Sequence, residues 1–482
     1  MICRWNSVMK LSFKKEWYNS HWMKNKLLGN FDFYKRLIII FVPIVIQNAV
    51  TSFVGLLDNI MVGQTGTIPM SGVSIANQLI NIFNITTFGA MAAVGIFLTQ
   101  YKGREDEQGV LNCFKIKMGL AIFISVMSFG IIHLFGSNLV KLYLSEETND
   151  VLTIAETLKY GLSYIKIMSI GLILFEFSQA FSSTMRECGD TVPTMVSSVL
   201  ALFINVCLNY VFIFGKFGLP AMGTNGAALA TVISRVFELS FLVIYTLVKP
   251  SFRFLKKAFH KSDIPGELYQ NIIRRGTPLL VNEIMYSVGY AATIQCYATR
   301  GITTVAAMNI CVTVADIFYI ACYAMGNSIA IMVGQQLGRG ESEEAKLTAT
   351  RLMFTDFLLC SVFGVALYFT APLFPNIYNT SSEVKLLAKD FLDVCAWHLP
   401  LLGVYLGSYF VLRSGGRTLL TFLFDGFSTA CILFPVAFIL SRLTGMNALS
   451  MYIIINLLDI PKVILGTILV DKGIWIQNIV DF

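Results

Sequence analysis

From residue 37 to residue 470 the chain alternates long apolar runs with short polar breaks. A helix needs about 20 apolar residues to cross the hydrocarbon core of a bilayer. Twelve stretches reach that length: 37–62, 71–99, 117–139, 160–184, 192–215, 223–247, 277–299, 303–333, 351–374, 387–412, 418–441 and 446–470. The pattern predicts an all-α membrane protein of twelve transmembrane helices. A basic N-terminal arm over 1–36 precedes them and a C-terminal tail over 473–482 follows.

The runs come in two sets. Pro43 and Pro278, Gly66 and Gly301, Gln100 and Gln335, and Gly103 and Gly338 are each 235 residues apart, and "LTQYKGRED" closes the first region where "MVGQQLGRGE" closes the second. Later, "MRECGDTVPT" from Met185 aligns with "LRSGGRTLLT" from Leu412 at an offset of 227, which also pairs Arg235 with Lys462. Two copies of a six-helix unit are expected, 37–248 and 276–472, joined by the basic linker 249–275. Because six is even, both copies insert the same way up and are related by an axis along the membrane normal, as in transporters that rock two halves about a central cavity. Proline inside a span bends it, and the four glycines are expected to permit tight turns at helix ends.

Composition agrees with a membrane protein: 55% of residues are hydrophobic, 13% are charged, and the mean hydropathy is +0.68. The net charge of +7 sits in the arm, in the linker and at positions such as Lys102, Arg104, Lys115, Lys117, Arg186, Arg339 and Arg413, beside even-numbered spans. The positive-inside rule then places both termini in the cytoplasm of a plasma or inner membrane, and no nucleic-acid partner is implied. The ten cysteines are scattered, without a CxxC pair, so neither a disulfide framework nor a metal site is expected. The arm lacks a signal-peptide pattern. Met23 begins "MKNKLLGNFDF", an alternative start that would leave the first 22 residues outside the native protein.

Against this apolar background, Asp58 in "VGLLDNIMVG" needs a reason, since carboxylates in hydrocarbon are costly and mark functional sites. At about 1.5 Å per residue, Asp58 lies roughly 33 Å beyond Arg36, and Asn205 and Asn209 lie roughly 22 and 28 Å beyond Asp190. Thr231 lies about 12 Å below the outer start of the sixth span. Asn205 and Asn209, four apart, share a helix face. The four form an oxygen-rich set at matching depth, suited to a monovalent cation or a proton. The alternative is that Asp58 is structural, satisfied by Asn209 or a neighbouring helix. Candidates for substrate contact are Gln47, Gln78, Glu283 and His398, with Asn48 and Asn77 nearby. Arg235 and Glu238 are expected to neutralise each other as a helix-surface pair. His398, Asp393 and Glu176 could line the cavity, but read rather as satisfied interior or near-interface residues. The 19 Met and 38 Phe suit an adaptable apolar cavity but are equally ordinary in membrane spans. No G-x-x-x-x-G-K-[ST], H-E-x-x-H or G-x-S-x-G motif occurs, so neither direct ATP drive nor enzyme activity is expected.

Taken together, "FVPIVIQNAVTSFVGLLDNIMVGQTG", "ANQ" at 76–78, "MRECGDTVPT", "NVCLNYVFIFGKFGLPAMGTNGAALATVISR" and "LRSGGRT" resemble the MATE family of multidrug and toxic compound extrusion transporters, over about residues 30–470. The resemblance implies a secondary antiporter whose two lobes form a V and alternate between outward and inward openings. Proton or sodium entry would drive export of organic, often cationic, compounds, with no cofactor beyond the transported ion and a monomeric chain. It also implies that Asp58, Asn205, Asn209 and Thr231 form the coupling site of the first lobe. Some members carry Asp where Asn209 stands. Glu283 lies only five residues beyond Pro278, which departs from the seventh-span Glu of one branch, and Arg417 stands where the first copy has Asp190. Competing readings are a flippase of lipid-linked precursors, which calls for a strongly basic cavity, and a major-facilitator-type carrier, whose basic signature between spans 2 and 3 is not matched by "YKGREDEQG".

Overall fold

A computed structural model of the chain describes residues 27–143, 151–259, 264–378 and 380–481. Most of the basic arm, with its alternative start at Met23, lies outside the described residues. The first half comprises α1 (Phe31–Gly63), α2 (Thr67–Gly103), α3 (Glu107–Lys141), α4 (Val151–Glu187), α5 (Val192–Phe214) and α6 (Thr224–Val248). The second comprises α7 (Gly266–Tyr297), α8 (Ile302–Gly338), α9 (Ser342–Thr370), α10 (Ser382–Ser414), α11 (Thr418–Leu443) and α12 (Ala448–Asp471). Among the described residues, eleven of these are long and apolar enough to cross a membrane on their own. The twelfth, α7, is long enough but opens with the polar sequence GELYQNIIRR. Side chains of Asn30, Asp106, Ser381 and Asn447 start α1, α3, α10 and α12 by accepting an N–H three residues on.

Within each half the long helices pack mainly on one another, and the two six-helix lobes meet where α2 packs against α7 and α8, and α1 against α8. The end of the bundle at which Pro250–Phe259 leaves α6 and leads towards α7 is called the linker side below. There, Lys249 donates to Asp190 Oδ2 at 2.5 Å. Partial burial works against the Lys249 ammonium, yet the bonds to Asp190 and Tyr245 outweigh it and raise its pKa above the ordinary lysine value.

Two expectations change here. Lys117, counted with the loop charges, is fully buried: α3 starts ten residues before it, and its ammonium donates to Glu187 Oε2 at 2.6 Å and Ser183 Oγ at 2.8 Å. Gly66 and Gly301 do take left-handed φ values, +120° and +99°. Gly103 and Gly338 do not. The left-handed turns there fall on Glu105 (φ 62°) and Gly340 (φ 78°), and the glycines are small because the other lobe's backbone presses on them.

α11 is irregular. It widens into π-type turns over Leu423–Phe427 and Thr429–Leu433, just ahead of Pro435, which has no N–H to give. Asn282 of α7 repairs the opened ladder: its Oδ1 accepts the Gly426 N–H at 2.8 Å, and its Nδ2 donates to Asp425 Oδ2 at 2.9 Å.

Candidate functional site

The four residues singled out at matching depth form one hydrogen-bonded row. Asn209 Nδ2 donates to Asp58 Oδ1 at 2.5 Å and lies 3.0 Å from Asn205 Oδ1, and Asn205 Nδ2 donates to Thr231 Oγ1 at 3.2 Å. Thr231 passes its own proton to the Ala227 carbonyl at 3.1 Å. Asn205, Asn209 and Thr231 are buried, whereas Asp58 is half-buried. Asn209 Oδ1 is buried with no hydrogen-bond partner among the described residues, so its lone pairs remain on offer. Beside the row, Asn205 and Thr231 line a pocket of about 30 Å³ with Ser198, Ser234, Arg235 and Glu238, about the share of one water molecule. Within the row itself, the Asp58 carboxylate, the free Asn209 amide oxygen and the Thr231 hydroxyl are oxygens that can ligate a small cation or carry a proton.

Arg235 and Glu238 do pair, at 2.5 Å. They line this interior pocket rather than the outer helix surface, because Ser198 of α5 also donates to Glu238 at 3.3 Å.

A larger space lies between the lobes. One part, of about 280 Å³, is walled by α2 and α4 on one side and α7, α8, α10 and α11 on the other; a second, of about 350 Å³, shares Phe88, Gln179, Arg186 and Tyr323 with it. Together they reach the size of sites for drug-like molecules. Aromatic side chains, Phe88, Phe175, Tyr286, Tyr319, Tyr323, Tyr405, Tyr409 and Phe410, make much of the wall. Five carboxylates (Glu187, Glu238, Glu283, Asp316, Asp425) face it against three guanidiniums (Arg186, Arg235, Arg413).

Of the sequence candidates for substrate contact, Glu283 and Gln47 line this space. Glu283 accepts from Tyr409 at 3.0 Å and lies 3.8 Å from Arg413, while Gln47 accepts from Arg186 and Thr194 and donates to Ser182 and Ser198. Gln78 is exposed on α2 and His398 is buried against Asp459 at 3.0 Å; neither is among the lining residues. Glu176 accepts from Thr87 at 2.6 Å and Asp393 from Lys389 at 2.7 Å.

The sequence reading missed the polar core of the second lobe. Asp425 is bonded to Tyr405 and Asn282, and Lys462 stacks its ammonium 5.0 Å from the Tyr405 ring while bridging to Asp459 at 3.3 Å. The signal was there: Asp425 sits in an apolar span as Asp58 does. It also missed a convergence of thiols. Cys322 of α8 and Asp356 and Cys360 of α9 bring their donor atoms within 4.8 Å of one another, all buried. Scatter along the sequence hides what two packed helices bring together.

The bonds that tie lobe to lobe gather on the linker side. Arg36 donates to Gln335 Oε1 at 2.8 Å, Gln335 Nε2 to the Glu187 carbonyl at 2.9 Å, and Gln100 Nε2 to the Ser414 carbonyl at 3.2 Å. The cavity is therefore sealed on that side.

A model of the MatE family matches residues 43–211 and 278–439. The chain is 23% identical over 420 residues to a probable multidrug resistance protein NorM of Thermotoga maritima, covering 87% of this chain and 88% of that protein. Over 430 residues it is 23% identical to the probable multidrug resistance protein YoeA of Bacillus subtilis, covering 87% and 89%. Among solved structures, one described as the outward-facing conformation of a multidrug resistance MATE family transporter superposes with a TM-score of 0.80 at 17% identity, covering 93% of this chain and 98% of that one. A transporter from Pyrococcus furiosus, described as having a binding pocket of reverse polarity, superposes at 0.77 with 18% identity, covering 93% and 98%. At such identities these structures share the fold.

Proposed function

The chain belongs to the MatE family of multidrug-efflux transporters, and from that premise we propose that it is a secondary antiporter in which entry of a proton or a sodium ion drives export of organic cations and cationic amphiphiles. The linker side, rich in Lys and Arg, is the cytoplasmic side of a plasma or inner membrane. The sealed linker side then corresponds to an outward-open state, the conformation named for one of the structures that superpose on this chain. Rocking of the lobes exposes the cavity to each side in turn.

The observation that carries this reading is the Asp58–Asn209–Asn205–Thr231 row. An ionisable group inside a lobe is held by neutral oxygen and nitrogen ligands that neither neutralise it nor fill its coordination. Arrival of a cation there changes the net charge of the first lobe, and a change of charge in low dielectric is what biases one lobe arrangement over the other. The excess of carboxylates over guanidiniums in the aromatic cavity favours a cationic solute. It also speaks against a flippase of anionic lipid-linked precursors.

The test is transport by purified protein in liposomes under separately imposed proton and sodium gradients. One of the two gradients is expected to drive uphill movement of a fluorescent organic cation, and failure of both to do so overturns the antiport reading. A second experiment addresses the cavity. The double substitution Glu283→Gln with Asp425→Asn is expected to raise the KM for a monovalent organic cation about tenfold, the loss of one good charge contact, while a neutral amphiphile of similar size is affected less than about twofold. Equal effects on both solutes would remove the carboxylates from substrate recognition.

A further inference from the structure

The linker-side seal is built twice. Gln100 and Gln335 occupy equivalent positions of the two repeats, and each donates its Nε2 to the carbonyl at the end of the fourth helix of the opposite lobe: Gln335 to Glu187 at 2.9 Å, Gln100 to Ser414 at 3.2 Å. Glu187 and Ser414 are themselves equivalent under the second repeat offset. The glycines one turn on complete the match. A Cβ at Gly103 would stand 1.9 Å from the Gln335 carbonyl oxygen, and a Cβ at Gly338 1.9 Å from that of Gln100. The two glutamines thus form a pseudo-twofold clasp with backbone lying on backbone.

The clasp is symmetric in its donors but not in what fills its acceptors. Gln335 Oε1 accepts from Arg36, a side chain of α1. Gln100 Oε1 accepts the Ile479 N–H at 2.8 Å, and its Nε2 also donates to the Gln477 carbonyl at 3.2 Å, so that a fully buried side chain grips the segment after α12 by two backbone groups. Beyond this grip, Ile479 and Val480 pack with Phe97 and Leu98 of α2, Val110 of α3 and Leu268 and Ile272 of α7. Trp475, fully buried, donates to the Val470 carbonyl at 3.1 Å and holds the start of the segment on its own lobe. Arg275 adds a bond to the Gln477 side chain at 3.1 Å.

A segment anchored on one lobe and gripped by the other resists their separation. We propose that Trp475–Asp481 is an intrachain latch on the cytoplasmic gate, held by Gln100, and that its release is a required step before the lobes open on that side. The latch rests on the lobe-rocking reading above. Besides the latch, the Gln335–Glu187, Gln100–Ser414 and Arg36–Gln335 bonds, the glycine contacts and the packing of α2 on α7 and α8 and of α1 on α8 hold this seal. The apolar wedge of Ile479 and Val480 must leave α2 when the lobes part, because it cannot follow both α2 and α7.

The test is a distance distribution between spin labels carried by unnatural amino acids at the exposed positions Glu107 and Glu343, on either side of the seal, with all native cysteines kept. Wild type is expected to show a dominant short distance and a minor long one. Ile479→Pro, which removes the one N–H given to Gln100 Oε1, and Gln100→Ala should each raise the long-to-short ratio about tenfold, the worth of a buried hydrogen bond or two. Glu267→Gln, at an exposed position of α7 on the same side and outside the latch, should change it less than twofold. Monodispersity and thermal midpoints in detergent check that each variant is folded; should Ile479→Pro fail that check, Ile479→Ala, which removes the apolar wedge from α2 and leaves the Gln100–Ser414 bond in place, decides instead. A wild type with two distances and latch variants that match it overturns the latch. A single distance in every protein, under either ion gradient, overturns the rocking reading as well.

Discussion

Asp58→Asn is expected to bring gradient-driven efflux of a fluorescent organic cation down to the background of cells lacking the protein, at every external pH and sodium concentration. The substitution is nearly isosteric, and an amide at position 58 still offers an oxygen to the Asn209 donor now 2.5 Å from the carboxylate. The row from Asn209 through Asn205 to Thr231 therefore stays in place, and only the ability to bind and release a positive charge is lost. Expression and thermal midpoint should be unchanged or higher, because the variant no longer desolvates a carboxylate. Loss of transport together with loss of the folded protein would make Asp58 structural, and wild-type pumping across pH and sodium would end its coupling role.

The largest effect on stability is expected at Lys117→Met. The Lys117 ammonium is fully buried and donates to Glu187 and Ser183, while the Glu187 carboxylate is mostly buried at the cavity wall. Lifting one partner out of a buried ion pair leaves the other desolvated and unpaired, which costs about 3–5 kcal/mol. Arg186 and Arg413 also face Glu187 and place the expected loss at the lower end of that range. Methionine keeps most of the volume, so the deficit is electrostatic. The measurement is the thermal midpoint in detergent at a fixed scan rate. Lys117→Met should lower it, and adding Glu187→Gln should restore most of it. If the double variant is no better than the single one, packing rather than charge accounts for the loss.

Much of the architecture was legible because membrane spans are read by length and apolarity alone, and because two offsets recur along the chain. Proximity of Asp58, Asn205, Asn209 and Thr231 was legible from depth counting, since straight helices of known rise convert sequence distance into height. Facing around a helix was harder. Lys117, Arg186 and Arg413 read as loop charges because they stand near the ends of apolar runs, whereas the helices continue past those runs and turn the charges inward. Gly103 and Gly338 read as turn residues because helix ends favour glycine, and no local rule distinguishes that use from a backbone of another lobe lying against them. Asp425 stands in an apolar span as Asp58 does, but its partners Asn282 and Tyr405 lie on α7 and α10, and no spacing along the chain announces that the three meet.

The widened turns of α11 make the halves mechanically unequal. Each such turn carries a spare residue and a looser ladder, so α11 can bend or slip by one step where its regular counterpart α5 must swing as a rod. The two copies share an outline but not a stiffness, and the second is the more compliant strut.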